Sequence, residues 1–229
     1  SNVSKEFYLE HKKLCIKFIA KLAEDFGQDW CENYLMPQLW FFGNDEEEEI
    51  RKQVLTALPF LCCEISYEMI GTKIYNLIKK IASDKCTDIR KNSIPCLANI
   101  INVYQEKGKK SKEMEKKKEI EKEKNKEKNN DKPEEKINEI KIDPGSVKNF
   151  LGIIEKFILD KEKCVRDKVI EHIGEIISPL EKEELSQKLL NFYIDSANEF
   201  YYNKEIVPIK SSKKISKKKE DNPKESKNE

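Results

Sequence analysis

Apolar residues in this sequence recur three and four positions apart, and the pattern reappears around one short polar turn. The turn reads Asp45-Glu-Glu-Glu-Glu-Ile50-Arg51, then Asp84-Lys-Cys-Thr-Asp-Ile89-Arg90, then Asp160-Lys-Glu-Lys-Cys-Val165-Arg166. Aligned on the arginines, apolar residues coincide seven positions later (Leu58, Leu97, Ile173) and ten later (Leu61, Ile100, Ile176). They also coincide nine positions earlier (Phe42, Ile81, Phe157), twelve earlier (Leu39, Ile78, Ile154) and sixteen earlier (Leu35, Ile74, Phe150). Steps of three and four keep side chains on one face of a helix. Each copy therefore predicts a helix, a turn and a second helix.

Arg51 and Arg90 stand 39 positions apart, and Arg90 and Arg166 stand 76 apart, close to two periods. A period near 40 with two helices per copy belongs to the HEAT and armadillo class of solenoid rather than to shorter tetratricopeptide or ankyrin arrays. One such hairpin cannot hide its apolar stripe alone, so copies must stack. The expected fold is all-α, an α-α superhelix of about four to five helical hairpins with a disordered charged insertion.

Taken in order, Lys5 to Phe26 predicts a helix with Leu14, Cys15, Phe18, Ile19, Leu22 and Phe26 on its apolar face. Counting one period back from Arg51 lands on Lys12, so this helix is the second half of a unit. With Ser1-Asn2 in place of a starting methionine, the expectation is a piece that begins inside an array. Gly27 suits a left-handed cap and Asp29 the cap of the next helix, which runs from about Trp30 to Phe42 and bends at Pro37. Gly43-Asn44-Asp45 turns into a partner helix from Glu46 to Ile65, its four glutamates at the positive end of the helix dipole. Ser66 caps the next unit, with helices to Ala82 and from Thr87 to Tyr104.

The pattern then lapses. Gln105 to Asp143 holds 14 lysines and 12 acidic residues, too polar to offset the entropy of ordering. Its expected state is solvated disorder, the alternative being a charged helix through Ser111 to Lys126. Asp143-Pro144-Gly145-Ser146 restarts the array, and Val147 to Leu159 with Lys163 to Leu180 form a further unit. Glu184 to Tyr202 opens another, with Leu185, Leu189, Phe192, Tyr193, Ile194, Ala197 and Phe200 inward, and a lysine-rich tail follows. The expected layout is repeats over 1–104, insertion over 105–143, repeats over 144–202 and tail over 203–229.

Composition sharpens this picture. Charged residues make up 38% of the chain, but setting aside the insertion and tail leaves 21 basic and 26 acidic residues. The body is thus mildly acidic, which argues against an electrostatic nucleic-acid clamp. The seven cysteines include no Cys-x-x-Cys pair, and Cys15, Cys31, Cys62 and Cys96 sit in or beside apolar stripes. They read as small buried hydrophobes in a reducing compartment, hence the cytoplasm. His11 and His172 are too far apart to complete a metal cage, and no Gly-rich phosphate loop or other catalytic constellation is present. The expectation is no enzyme, no cofactor, no metal and no small-molecule substrate. No apolar run is long enough to cross a bilayer. Lys213-Lys214-x-x-Lys217-Lys218-Lys219 is either a solvated tail or an import-type or anion-seeking patch that would add the nucleus.

The segment Lys21-Leu22-Ala23-Glu24-Asp25-Phe26-Gly27-Gln28-Asp29-Trp30, followed by Pro37 and Leu39, resembles HEAT units of the scaffold (A) subunit of type 2A protein phosphatase. It is similar as well to the regulatory subunit of type 4 phosphatase. The matching features are Phe-Gly-x-x-Trp between helices, a proline midway in the first helix, and Asp-x4-Ile/Val-Arg at the turn. The resemblance implies a curved scaffold that holds a phosphatase catalytic subunit and a substrate-selecting subunit along the ridge of turns inside each unit. By position that ridge is Gly43 to Glu49, Ser83 to Asp88 and Asp160 to Lys163. Candidate partner-binding residues there are Trp40, Phe41, Asn44, Glu46, Glu47, Glu48, Lys85, Thr87, Lys161 and Lys163. The sequence departs from the family in its acidic Glu46 to Glu49, its long insertion and its few units.

Asp45, Asp84 and Asp160 with Arg51, Arg90 and Arg166 read as a ladder in which each aspartate pairs with an arginine of a neighbouring unit. The insertion is expected to weaken it between Arg90 and Asp160. The other reading is a charged row facing a ligand. Trp30 and Phe42 occupy core offsets, while Trp40 and Phe41 fall between packing on the next unit and exposure near the ridge. Glu46 to Glu49 either meet a basic partner loop or simply favour a helix start. The expected function is a non-catalytic protein-binding scaffold. Alternatives are an array binding tubulin, a transport receptor, or a nucleic-acid-associated protein using the lysine-rich segments.

Overall fold

The computed structural model describes residues 4–126 and 147–203, with backbone alone at 115, 119–126 and 199–203. Every regular element among them is helical. Helix α1 spans Lys5–Phe26, and α2 (Met36–Phe42) follows a short turn Gln28–Trp30 and a π-helical turn Cys31–Leu35. Helix α3 spans Glu48–Glu64, and α4 (Tyr75–Ile81) again follows a short turn, Tyr67–Met69, and a π-helical turn, Ile70–Ile74. The rest are α5 (Thr87–Lys126), α6 (Val147–Phe157), α7 (Lys163–Ile177), a 3-10 turn Lys182–Glu184 and α8 (Gln187–Asn203).

The second helices of the hairpins, α1, α3, α5 and α7, stack in one layer, each against the next. The first helices lie on the other side, with α2 on α3, α4 on α5 and α6 on α7. All fifteen side chains aligned by the repeat, from Leu35 to Ile176, are in one buried core. Units are also tied at their starts: Ser66 Oγ accepts from Met69 N at 3.2 Å, while Ser66 N donates 2.7 Å to Glu32 Oε1 of the preceding unit.

Several expectations change on contact with the structure. On α1, Ile16, Ile19 and Ala23 are the buried residues, whereas Leu14, Cys15, Phe18 and Phe26 are exposed. A helix this apolar has two plausible stripes, and the side that meets α3 selects the narrower one. Among the described side chains of α8 only Leu189 is buried, Leu185 precedes the helix, Tyr193 and Ile194 face solvent, and the Phe200 side chain lies outside the described residues. Gly27 does take a positive φ of 75°, but with ψ at 179° it is an extended mirror-region residue rather than a left-handed cap. Helix starts at Gln28 place Asp29 in the first turn, not at the cap.

The bend assigned to Pro37 is a π-helical turn just before it, so the helix widens ahead of a residue that has no N–H to give. Proline is not the whole cause, since the same turn recurs one period later at Ile70–Ile74 without one. Helix α3 begins at Glu48, which leaves Glu46 and Glu47 in the turn.

The largest revision concerns the insertion. Helix α5 does not stop at Tyr104 but runs unbroken to Lys126, so over Ser111 to Lys126 the charged helix rather than disorder is found, continuous with the repeat helix instead of separate from it. Its continuation is anchored by specific packing. Gln105 Nε2 donates 2.7 Å to Glu184 Oε2, and Lys107 Nζ donates 2.6 Å to the Ile65 carbonyl that ends α3, where a cation is favoured. Gly108 is buried, the place of its missing Cβ 3.1 Å from the Tyr67 ring. That ring stacks on Tyr104 at 4.3 Å, and Tyr104 meets Phe150 of the next unit at 5.2 Å. Aromatic packing thus carries the stack past the insertion. The rest of the insertion, the restart at Asp143 to Ser146 and the tail from 204 lie outside the described residues.

Candidate protein-docking ridge

The three turns share one construction. Asp45, Asp84 and Asp160 each accept, through Oδ1, the backbone N–H two residues on, from Glu47 at 3.0 Å, Cys86 at 2.9 Å and Glu162 at 2.9 Å. This aspartate-to-backbone bond is what makes a short polar stretch reverse direction. The arginine six residues later closes the same turn from below. Arg51 Nη1 donates to the carbonyls of Asp45 and Glu46, Arg90 Nη1 to those of Asp84 and Lys85, and Arg166 Nη1 to those of Asp160 and Lys161, all between 2.6 and 3.2 Å.

The remaining face of each guanidinium reaches forward. Arg51 grips Asp84 with Nε at 2.6 Å and Nη2 at 3.1 Å, and Arg90 grips Asp160 with Nε at 2.8 Å and Nη2 at 3.1 Å. The rung between Arg90 and Asp160 is as well formed as its predecessor, so the expected weakening at the insertion does not occur. Lys12 takes the arginine's place in the first rung, 2.6 Å from Asp45 Oδ2. Arg166 has no such forward aspartate among the described residues. Arg51 and Arg90 are the only buried charged residues of the described core, and a planar fork suits two carboxylate oxygens better than an ammonium would.

Electrostatics agree with this geometry. Burial works against ionising Asp84 and Asp45, but the Arg51 or Lys12 hydrogen bond together with the turn N–H outweighs it, and both carboxyls are held below the usual 3.8. At Asp160 the Arg90 hydrogen bond itself dominates and lowers the value. Asp84 and Asp160 in turn push Arg51 and Arg90 upward.

The candidate partner-binding residues separate into groups. Phe41 is 65% exposed and Trp40 37%, both on the ridge end of α2, while Phe42 is buried and Trp30 half-buried in a stack with Phe26 at 4.4 Å. Glu47 is taken by Lys5 at 2.7 Å and Glu49 by Lys13, so α1 neutralises half of the acidic run. Glu46 and Glu48 are exposed and carry no ion pair among the described residues. Thr87 is half-buried at the start of α5, and Lys161 and Lys163 are exposed at the third turn.

Only Asn44, Glu46 and Lys85 of these come together, in an open cleft of about 930 Å³ between the first and second turns. Asp45, Ser83 and Asp84 of the ridge and the rung residue Arg51 also line it, together with Asn76, Lys79 and Lys80, three polar residues outside the ridge segments assigned from the sequence. The signal was available: one period on from Trp40 and Phe41 stand Lys79 and Lys80.

No metal-holding group of histidine, cysteine or carboxylate side chains occurs among the described residues, and no described helix is long and apolar enough to cross a membrane. The stacked hairpins, common turn and intact rungs define an all-α helical-repeat solenoid. No protein-family model matches the chain, and no curated protein matches it. Among solved structures it is similar to a designed armadillo repeat protein, at 16% identity over 85% of this chain and 75% of that one, with a TM-score of 0.33. Assignment to the solenoid class therefore stands on the chain's own hairpins.

Proposed function

We propose that this chain is a non-catalytic scaffold that holds protein partners along its ridge of turns, within a serine/threonine protein phosphatase assembly. The supporting observation is a division of labour at the turns. Aspartate and arginine are consumed in setting the turn and its spacing to the next, and Trp40, Phe41, Glu46, Glu48, Lys85, Lys161 and Lys163 are left exposed beside them. A spaced row of outward charges with an aromatic pair alongside is the chemistry by which protein surfaces are recognised. The phosphatase part draws on the resemblance of Phe26-Gly27-x-x-Trp30, Pro37 and the turn motif. On this reading the array spans 1–104 and 144–202, residues 105–108 belong with it by their packing, and the work is done in cytoplasm or nucleus.

Direct binding tests it. Purified chain titrated with purified catalytic subunits of type 2A and type 4 phosphatases should bind at least one with a low-micromolar or tighter Kd. Glu46→Lys with Glu48→Lys, which touches no rung, should weaken that binding by about tenfold. Absence of binding to both subunits would overturn the phosphatase assignment. Phosphatase activity in the chain alone would overturn the non-catalytic one.

A further inference from the structure

The geometry points to a second, more specific feature of the ridge: the cleft between the first and second turns is a docking site for a carboxylate-rich segment of a partner protein, held by Lys79, Lys80 and Lys85. It rests on the scaffold reading only in making the occupant a protein. Of the charged walls of the cleft, Asp45 is matched by Lys12, and Asp84 by Arg51. Removing these pairs leaves three lysines against a single carboxylate, Glu46. None of the three amines has an ion-pair partner among the described residues. Lys79 lies over the Tyr75 ring at 5.4 Å, and Lys80 donates to the side-chain oxygen of Asn44. Both are thus positioned by neutral partners that leave the charge unanswered.

The chemistry of the donors selects among anions. A single phosphate is best held by a guanidinium fork or a row of backbone N–H groups. Here the one guanidinium, Arg51, spends Nε and Nη2 on Asp84 and Nη1 on two carbonyls, so the fork is committed. What remains are three separate ammonium point charges and the Asn76 amide along an open cleft of about 930 Å³. Several carboxylates on an extended chain fit that spread better than one compact anion. Phe41, two positions before the Gly43 wall in sequence, is exposed and offers an apolar contact for such a chain.

The test uses the full chain and a labelled peptide of eight glutamates, read by fluorescence anisotropy at about 50 mM salt. Wild type should bind, and affinity should fall severalfold by about 200 mM salt as the charges are screened. Lys79→Glu, Lys80→Glu and Lys85→Glu together should weaken binding at least tenfold. The same reversal at Lys213, Lys214, Lys217, Lys218 and Lys219 should leave most of it. An amine-acylation footprint on wild type should show the peptide protecting Lys79, Lys80 and Lys85, which settles the matter even if the triple variant folds poorly. A phosphoserine peptide of equal length should bind no tighter than the glutamate peptide. The proposal is overturned if wild type does not bind, if the footprint is elsewhere, if the tail reversal rather than the cleft reversal abolishes binding, or if the phosphopeptide binds much more tightly. None of these outcomes bears on whether a phosphatase subunit binds, so the two readings fail separately.

Discussion

Single residues show where a repeat tolerates change and where it does not. Gly27 adopts a backbone conformation that is nearly closed to other residues, with open space where a Cβ would stand. Gly27→Ala should therefore cost about 1–3 kcal/mol from backbone strain alone, visible as a lower melting temperature, with no change in the spectrum of the folded state. An unchanged melting temperature would mean that the turn after α1 relaxes freely. Gly43 presents the opposite case: its φ is ordinary, but a Cβ there would lie 2.6 Å from Leu77 Cδ1. One period later the same position is Ala82. The period thus made the aspartates and arginines of the rungs legible in the sequence, because they recur at fixed distance, whereas Lys12 was placed by it only in a second helix and not in a rung. Exposure at Leu14, Phe18 and Cys15 was not legible, since periodicity marks faces and only a neighbour decides which of them is covered.

At the level of elements, the rung is the unit that joins one hairpin to the next. The Arg90 and Asp160 side chains are only 9% and 10% exposed, so removing one strands the other in a largely desolvated place. Arg90→Ala or Asp160→Ala should each cost about 3 kcal/mol, whereas replacing both together by apolar residues should cost clearly less than the sum. A double-mutant cycle by denaturant unfolding measures this, and simple additivity would contradict a coupled pair. The rungs also set an acid limit. All three aspartates ionise more readily in the folded chain than their usual 3.8, so the unfolded chain takes up protons first as pH falls. Their contribution is complete above about pH 5 and erodes below about pH 4. Asp84→Asn should lower stability at pH 7 and flatten its decline between pH 5 and 3; a decline as steep as wild type would place the acid sensitivity elsewhere. Element type was readable from spacing throughout, but the two π-helical turns were not. Cys31–Leu35 and Ile70–Ile74 share no residue that would announce them. The reach of α5 was half legible: a charged helix through Ser111 to Lys126 was one of two readings, but its continuity with the helix before it was not, because Lys107 and Gly108 look like the start of a polar tract until Ile65 and Tyr67 are seen beside them.

Across the whole molecule, the first two forward contacts join residues 33 apart in sequence, Lys12 with Asp45 and Arg51 with Asp84, while the third joins residues 70 apart. The bonds are alike, but the length of chain tethered by each is not. Closing roughly twice the loop costs about 0.6 kcal/mol more in chain entropy. The order of assembly should follow: the hairpins up to α5 should gain amide protection first in a refolding experiment, and α6 and α7 should join afterwards. Early protection of α6 and α7 would show that α5 brings the distant hairpin back before the tether is felt.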